Sequence, residues 1–219
     1  MLNFGNTKLG KIHTWSIPAI HTCPGRSKLC EALCYAATGF YKMNNVIDSL
    51  QSNLEACRKP GWADEMIQEI KSKKCTLVRI HVAGDFFNTG YLSDWIKICK
   101  ASPNVRFYAY SRSWRIEALY PLLVELGELP NVQLWWSVDK ETGRAPEHDK
   151  IKQAYLATDD DDKPKFEVDL IFREKTDTVL KKVDDVQVCP YEMGVATKIT
   201  CQTCKICYKE ALVKIGEDS

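Results

Sequence analysis

Leu77-Val-Arg-Ile-His-Val-Ala83, Val105-Arg-Phe-Tyr-Ala-Tyr110 and Val132-Gln-Leu-Trp-Trp-Ser137 decide the fold, because Val78, Val105 and Val132 recur at a fixed interval of 27 residues. Each run is short, apolar and rich in β-branched or aromatic side chains, which reads as a buried strand. Pro103-Asn104 and Pro130-Asn131 turn the chain into the second and third runs, and the three runs lead into Gly84-Asp85, Ser111-Arg112 and Val138-Asp139. Between them, Tyr91 to Ala101 and Trp114 to Gly127 carry apolar residues at helical spacing. A period of this length suits a βα unit, and successive right-handed crossovers make the strands parallel. The expected fold is therefore α/β, with parallel βα repeats forming either a partial (β/α) barrel or an open doubly wound sheet. In both, ligands sit beyond the C-terminal ends of the strands.

Working outward, Gly61 to Lys73 reads as a helix packed before the first strand, Phe166 to Phe172 as a further strand, and Val186 to Val188 as a short one. The organisation expected is one domain over residues 1–219. Within it lie a cysteine-containing N-terminal segment (1–60), the βα repeats (61–188) and a cysteine-rich C-terminal segment (189–219), with both ends irregular. The chain is 45% hydrophobic, enough for one sizeable core. Its formal charge of +1 offers no strong field for an anionic membrane and argues mildly against a nucleic-acid partner. Met1 to Gly10 lacks an apolar signal region and no long apolar run follows, so the cytoplasm is expected, that of the host cell if the chain is phage-encoded.

In a reducing compartment, ten cysteines point to metal or redox chemistry before disulfides. Cys189, Cys201, Cys204 and Cys207 give C-x11-C-x2-C-x2-C. Three thiolates on a tight turn converge, their backbone amides can face the sulfurs, and a fourth arrives from a distant segment. This favours a [4Fe-4S] cluster, with a structural Zn2+ in a nucleic-acid or protein-binding module as the alternative. Cys23, Cys30 and Cys34 form a second candidate set, C-x6-C-x3-C. There Pro24-Gly25 bends the loop, and the four-residue step from Cys30 to Cys34 suits one helix face. Such a three-thiolate site would leave one iron position free for substrate. Cys57, Cys75 and Cys99 read as core residues. Among the histidines at 13, 21, 81 and 148, only His21 is close enough to a cysteine to be a candidate ligand.

Asn6-Thr-Lys-Leu-Gly-Lys, Thr22-Cys23-Pro24-Gly25, Cys30, Cys34-Tyr35-Ala36, Cys189-Pro190, Cys201, Cys204 and Cys207-Tyr208 together resemble a phage-borne protein family named after a mycobacteriophage gene product. The resemblance implies a phage protein and brings no assigned activity. A second, architectural likeness is to the partial barrel of radical S-adenosylmethionine enzymes, where three thiolates precede parallel βα units. Those enzymes use C-x3-C-x2-C with an aromatic residue before the last cysteine, whereas here Tyr35 follows Cys34. Val82-Ala83-Gly84-Asp85 also stands where that family keeps Gly-Gly-Glu. These departures argue against S-adenosylmethionine as the cofactor.

Parallel strands would bring Asp85, Ser111, Arg112, Ser137 and Asp139 to one rim. Asp85, Ser111 and Arg112 are the catalytic candidates, and Asp85 and Ser137 the expected cofactor contacts. His81 alternates onto the same face as Ala83 and Asp85. Arg112 and Arg115, flanking Trp114, could hold a phosphate or carboxylate or stack on a base. Trp135 and Trp136 should face opposite sides of their strand, and the aspartates at 159–162 should lie in an exposed loop. The expected function is an iron-sulfur protein with a redox or radical-type role, served by a redox partner or a small-molecule substrate.

Overall fold

The computed structural model describes residues 1–159, 162–173, 187–192 and 199–212. Among these residues, eight strands form one sheet in chain order: β1 (Asn3–Phe4), β2 (His13–Trp15), β3 (Leu77–Ile80), β4 (Arg106–Ser111), β5 (Val132–Val138), β6 (Lys152–Ala157), β7 (Leu170–Arg173) and β8 (Gln187–Val188). β1 is antiparallel to β2, and every later neighbour is parallel. A doubly wound sheet would reverse its order partway, so this uninterrupted order selects the incomplete barrel. The barrel is not closed among the described residues, where β1 and β8 each have one strand neighbour.

The helices are α1 (Lys28–Ala32), α2 (Asn44–Ala56), α3 (Trp62–Ser72), α4 (Thr89–Ala101), α5 (Tyr120–Glu128) and α6 (Cys201–Cys204). From α3, α4 and α5, Trp62, Met66, Ile70, Leu92, Trp95, Cys99, Leu123 and Leu126 pack with Val78, Ile80, Phe107, Ala109, Leu134 and Trp136 of the sheet in one continuous core. Burying each such large apolar side chain stabilises by about 1.5–3 kcal/mol before entropy is counted. Local chemistry sets the helix ends. The Asn88 side chain accepts from Tyr91 N at 2.8 Å at the start of α4, and one Asn131 amide donates to the carbonyls of Cys99, Ser102 and Val105, tying α4 to β4.

The alternate residues of the strands form the opposite, concave face. Thr14, Arg79, Tyr108 and Gln133 make one row across β2 to β5. Tyr110 stacks on Trp135 at 5.7 Å, with Phe172 edge-on to Tyr110 at 5.2 Å. The C-terminal segment crosses this face: Tyr208 packs on Tyr108, Trp135 Nε1 donates to the Cys207 carbonyl at 3.0 Å, and Arg106 Nε donates to the Ala211 carbonyl at 2.9 Å.

The expected elements shift where backbone chemistry intervenes. The first run is a strand only to Ile80, because His81 takes a left-handed φ of 61°. That turn carries its ring under the helices instead of alternating with Asp85. The Trp114 to Gly127 helix splits into a 3-10 turn at Ser113–Arg115 and α5, whose Pro121 is tolerated only in a first turn. The last expected strands shorten to β7 and β8, with Val186 outside the described residues. The N-terminal segment is less irregular than expected, contributing β1 and β2. β6 has no counterpart among the expected strands.

Candidate functional site

At the C-terminal rim, Asp85 is 5% exposed and both its carboxylate oxygens are engaged. Oδ1 accepts from Ser111 Oγ and Phe86 N, each at 2.7 Å, and Oδ2 accepts from Arg112 N at 2.9 Å. Asp85 thus holds the end of β4 against the end of β3. Asp139, fully buried, does the same work for the N-terminal loop: it accepts from Ser27 Oγ at 2.7 Å and from the amides of Glu141 and Thr142. Ser27 in turn caps α1 by accepting from Cys30 N at 2.9 Å. Arg112 bridges the two sides, with Nη2 3.1 Å from Asp139 Oδ2 and Nη1 donating to Cys30 Sγ at 3.3 Å. Arg115 donates to the carbonyls of Gly25 and Arg26. The Ser-Arg-Ser-Trp-Arg run is therefore spent on the protein's own loop.

Gly25 is what lets that loop dock. A Cβ there would lie 2.0 Å from the Arg112 carbonyl oxygen and 2.9 Å from Ser113 Cα, so only glycine admits the approach. Beyond it, α1 ends at Ala32, and Cys34 lies past the helix, at the start of a 3-10 turn. The expected shared helix face for Cys30 and Cys34 is therefore not formed. The two cysteines remain within electrostatic reach of each other and of Cys23. Burial, reinforced by the Asp85 carboxylate, pushes the Cys23 thiol up to about 12. Burial raises Cys30 too, opposed by the Arg112 guanidinium. The Tyr35 hydroxyl donates to the Val82 carbonyl, pinning the segment after Cys34 over the end of β3.

The second group lies lower on the concave face. Cys189 follows β8; Cys201 and Cys204 begin and end α6, capped by Thr200 and Thr203 on each other's backbone; Cys207 follows after Lys205 turns the chain with a left-handed φ of 65°. All four line one small pocket with Leu170, Pro190 and Tyr191. Burial, then the Glu192 carboxylate, pushes Cys189 up to about 12, and burial pushes Cys207 up to about 11. Cys201 is raised by burial against the pull of Arg79. These groups are thiols at neutral pH unless a cation displaces their protons. Among the described residues, no three Cys, His, Asp or Glu side chains converge closely enough to hold a single metal ion.

The remaining expected residues separate cleanly. Ser137 is half-buried on the Trp135 side of β5, and its carbonyl accepts from Trp114 Nε1 at 3.2 Å. Trp136 lies on the helix side against Tyr120, opposite Trp135. Cys57, Cys75 and Cys99 are core residues. His21 is exposed, and His13 packs against Phe4 with the rings tilted at 36°. His81, 3% exposed, has its Nε2 2.7 Å from the Tyr91 hydroxyl, which accepts from Trp15 Nε1. The Tyr91 hydroxyl thus links Trp15 and His81 in one buried chain of hydrogen bonds. Burial, then Arg79, lowers the His81 pKa to about 3, so it is neutral at physiological pH.

Sequence reading passed over Lys8, Arg79, Tyr108 and Tyr110, which stand on the concave face between the two cysteine groups. The available signal was Arg79 itself, a charge at an alternate position inside an apolar strand. Lys8 is ion-paired with Glu192 and lies 5.4 Å from the ring centres of Phe172 and Tyr191.

An in-order parallel sheet, helix-covered on one face and carrying cysteines from both chain ends at its rim and over its open face, defines a cysteine-lined α/β protein of incomplete-barrel type. The chain belongs to the Gene product 88 family, whose model matches residues 1–210. It is 29% identical over 171 residues to the Gene 88 protein of Mycobacterium phage L5, covering 70% of each chain. It is likewise 29% identical to the Gene 88 protein of Mycobacterium phage D29, covering 70% of this chain and 69% of that one. No solved structure matches the chain. None of the described helices is long and apolar enough to cross a membrane.

Proposed function

We propose that the protein is an iron-sulfur protein carrying a [4Fe-4S] cluster on Cys189, Cys201, Cys204 and Cys207, with a redox or radical-type role toward a small molecule held on the concave face. The observation that carries this reading is that these four thiols, from two segments, line one pocket on the open face of the barrel. Their donor chemistry fits a soft, thiophilic metal group, and such a group would supply one-electron chemistry there. The chain's own part is to bury the sulfurs, to back them with the Trp135 indole N–H on the Cys207 carbonyl, and to place cationic Lys8 and Arg79 near the thiolates. Nearby cations and hydrogen bonds tune the potential of such groups.

The test is anaerobic purification followed by an absorption spectrum with iron, sulfide and zinc assays on one sample. Broad absorption near about 400 nm with about four irons and four sulfides per chain is expected. Replacing Cys204 by serine should abolish it, while Cys99→Ser should not. A colourless protein with about one zinc would overturn the reading in favour of a structural site.

A further inference from the structure

We infer that Arg79 and Tyr108 form an oxyanion-binding site on the concave face, built for the carboxylate or phosphate of a small molecule. The inference stands apart from the identity of any metal on the cysteines. Arg79 stands in the middle of β3 on the concave face, with Tyr35, Tyr108, Tyr110 and Cys201 within electrostatic reach. Among the described residues it makes no hydrogen bond or ion pair, and its Nε is buried without a partner. It lies 5.9 Å from the Tyr108 ring centre and 5.7 Å from that of Tyr110. Ring faces of this kind contribute about 0.5–2 kcal/mol to a cation, well short of the several kcal/mol that desolvating a guanidinium costs.

Two further observations point to a ligand rather than to a misplaced charge. Tyr108 is 1% exposed, yet its hydroxyl has no partner, a donor left unused on the residue beside Arg79. Tyr110 places its hydroxyl beside the Cys207 thiol without a conventional hydrogen bond. The neighbouring cation, Lys8, is already neutralised by Glu192, so the uncompensated charge is that of Arg79. A planar guanidinium flanked by a phenolic hydroxyl matches the paired oxygens of a carboxylate or phosphate, and an anion there would satisfy both at once.

The experiment titrates the purified full chain with inorganic phosphate and, separately, with acetate at constant ionic strength, following tryptophan fluorescence. Metal content is assayed on each sample. Saturable binding of at least one anion is expected, weakened tenfold or more in Arg79→Gln, less in Arg79→Lys, and severalfold in Tyr108→Phe, with metal content unchanged. The tighter arm identifies the ligand group. Should Arg79→Gln fail to fold, Arg79→Lys and Tyr108→Phe carry the same comparison, since one keeps the charge and the other removes only a hydroxyl. Absence of saturable binding in both arms overturns the site, as does binding that these variants leave untouched. Loss of metal in Arg79→Gln without an effect on anion affinity also overturns it, and makes Arg79 the counter-charge of the Cys201 and Cys207 thiolates.

Discussion

The two cysteine groups reach the same barrel by different physics. The N-terminal loop is held at the rim by polar and charged contacts: Ser27 and Arg112 on Asp139, Arg115 on two loop carbonyls, Leu29 N on Glu141. The C-terminal group is held by packing, with Tyr208, Ile206 and Cys207 against Tyr108, Tyr110, Trp135 and Leu170, and by contacts spread along the segment: carbonyls accepting from Trp135 and Arg106, the Cys201 amide on the Lys8 carbonyl, Gln202 on Lys11 N, and the exposed Lys152–Glu210 ion pair. Buried polar networks fix geometry steeply and fail abruptly when one member is lost, whereas apolar packing yields by degrees. The rim therefore sets where Cys30 sits, and the concave face supplies a sheltered pocket that four cysteines line.

The largest expected effect breaks the first half of that comparison. Asp139→Ala removes the partner of a buried guanidinium and of Ser27, and should cost about 3–5 kcal/mol, read as a fall in the denaturant midpoint. Cys30 should become reactive toward thiol reagents, while Cys189 stays protected. Equal reactivity at both sites would mean that the two regions unfold as one. Gly25→Ala comes next, at about 2–3 kcal/mol, because a Cβ 2.0 Å from the Arg112 carbonyl forces the loop off the rim while leaving Asp139 able to keep Arg112. Hydrogen exchange in residues 23–34 should rise sharply. An unchanged exchange pattern would show that the loop is not seated by this close approach.

These effects also mark what could be read from sequence. The 27-residue spacing made β3, β4 and β5 legible because each lies in a short apolar run that ends in polar or turn residues. β6 was hidden: Lys152 opens it, it contains no β-branched residue, and an aspartate run follows it. β2 is three residues long, too short for any period. At the rim, Asp85, Ser111 and Arg112 were legible as polar residues ending apolar strands. The partners of the Arg112 guanidinium were not, because Cys30 lies 82 positions away and Ser27, which shares Asp139 with it, lies 112 positions from that aspartate, so that only the docked loop joins them. Asp85, engaged by Ser111 and the Arg112 amide, and Arg112, engaged by Asp139, hold structure, and Arg112 also touches the Cys30 thiol. Cys34 was placed on a helix face because a four-residue step invites it, but α1 is too short to include it.

The smallest effect sharpens the second half. Trp135→Phe removes one donor, the indole N–H at 3.0 Å from the Cys207 carbonyl, and keeps an aromatic ring against Tyr110. The expected cost is about 1 kcal/mol, the net value of one such hydrogen bond. Because packing dominates around Cys207, the loss should stay local: faster exchange at residues 201–208, no change at residues 23–34, and unchanged reactivity at Cys30. Sites that share no partner behave additively, so Trp135→Phe combined with Gly25→Ala should give the sum of the two costs within about 0.5 kcal/mol. A larger departure would mean that the rim and the concave face are coupled through the strands between them, and that a change at one cysteine group is felt at the other.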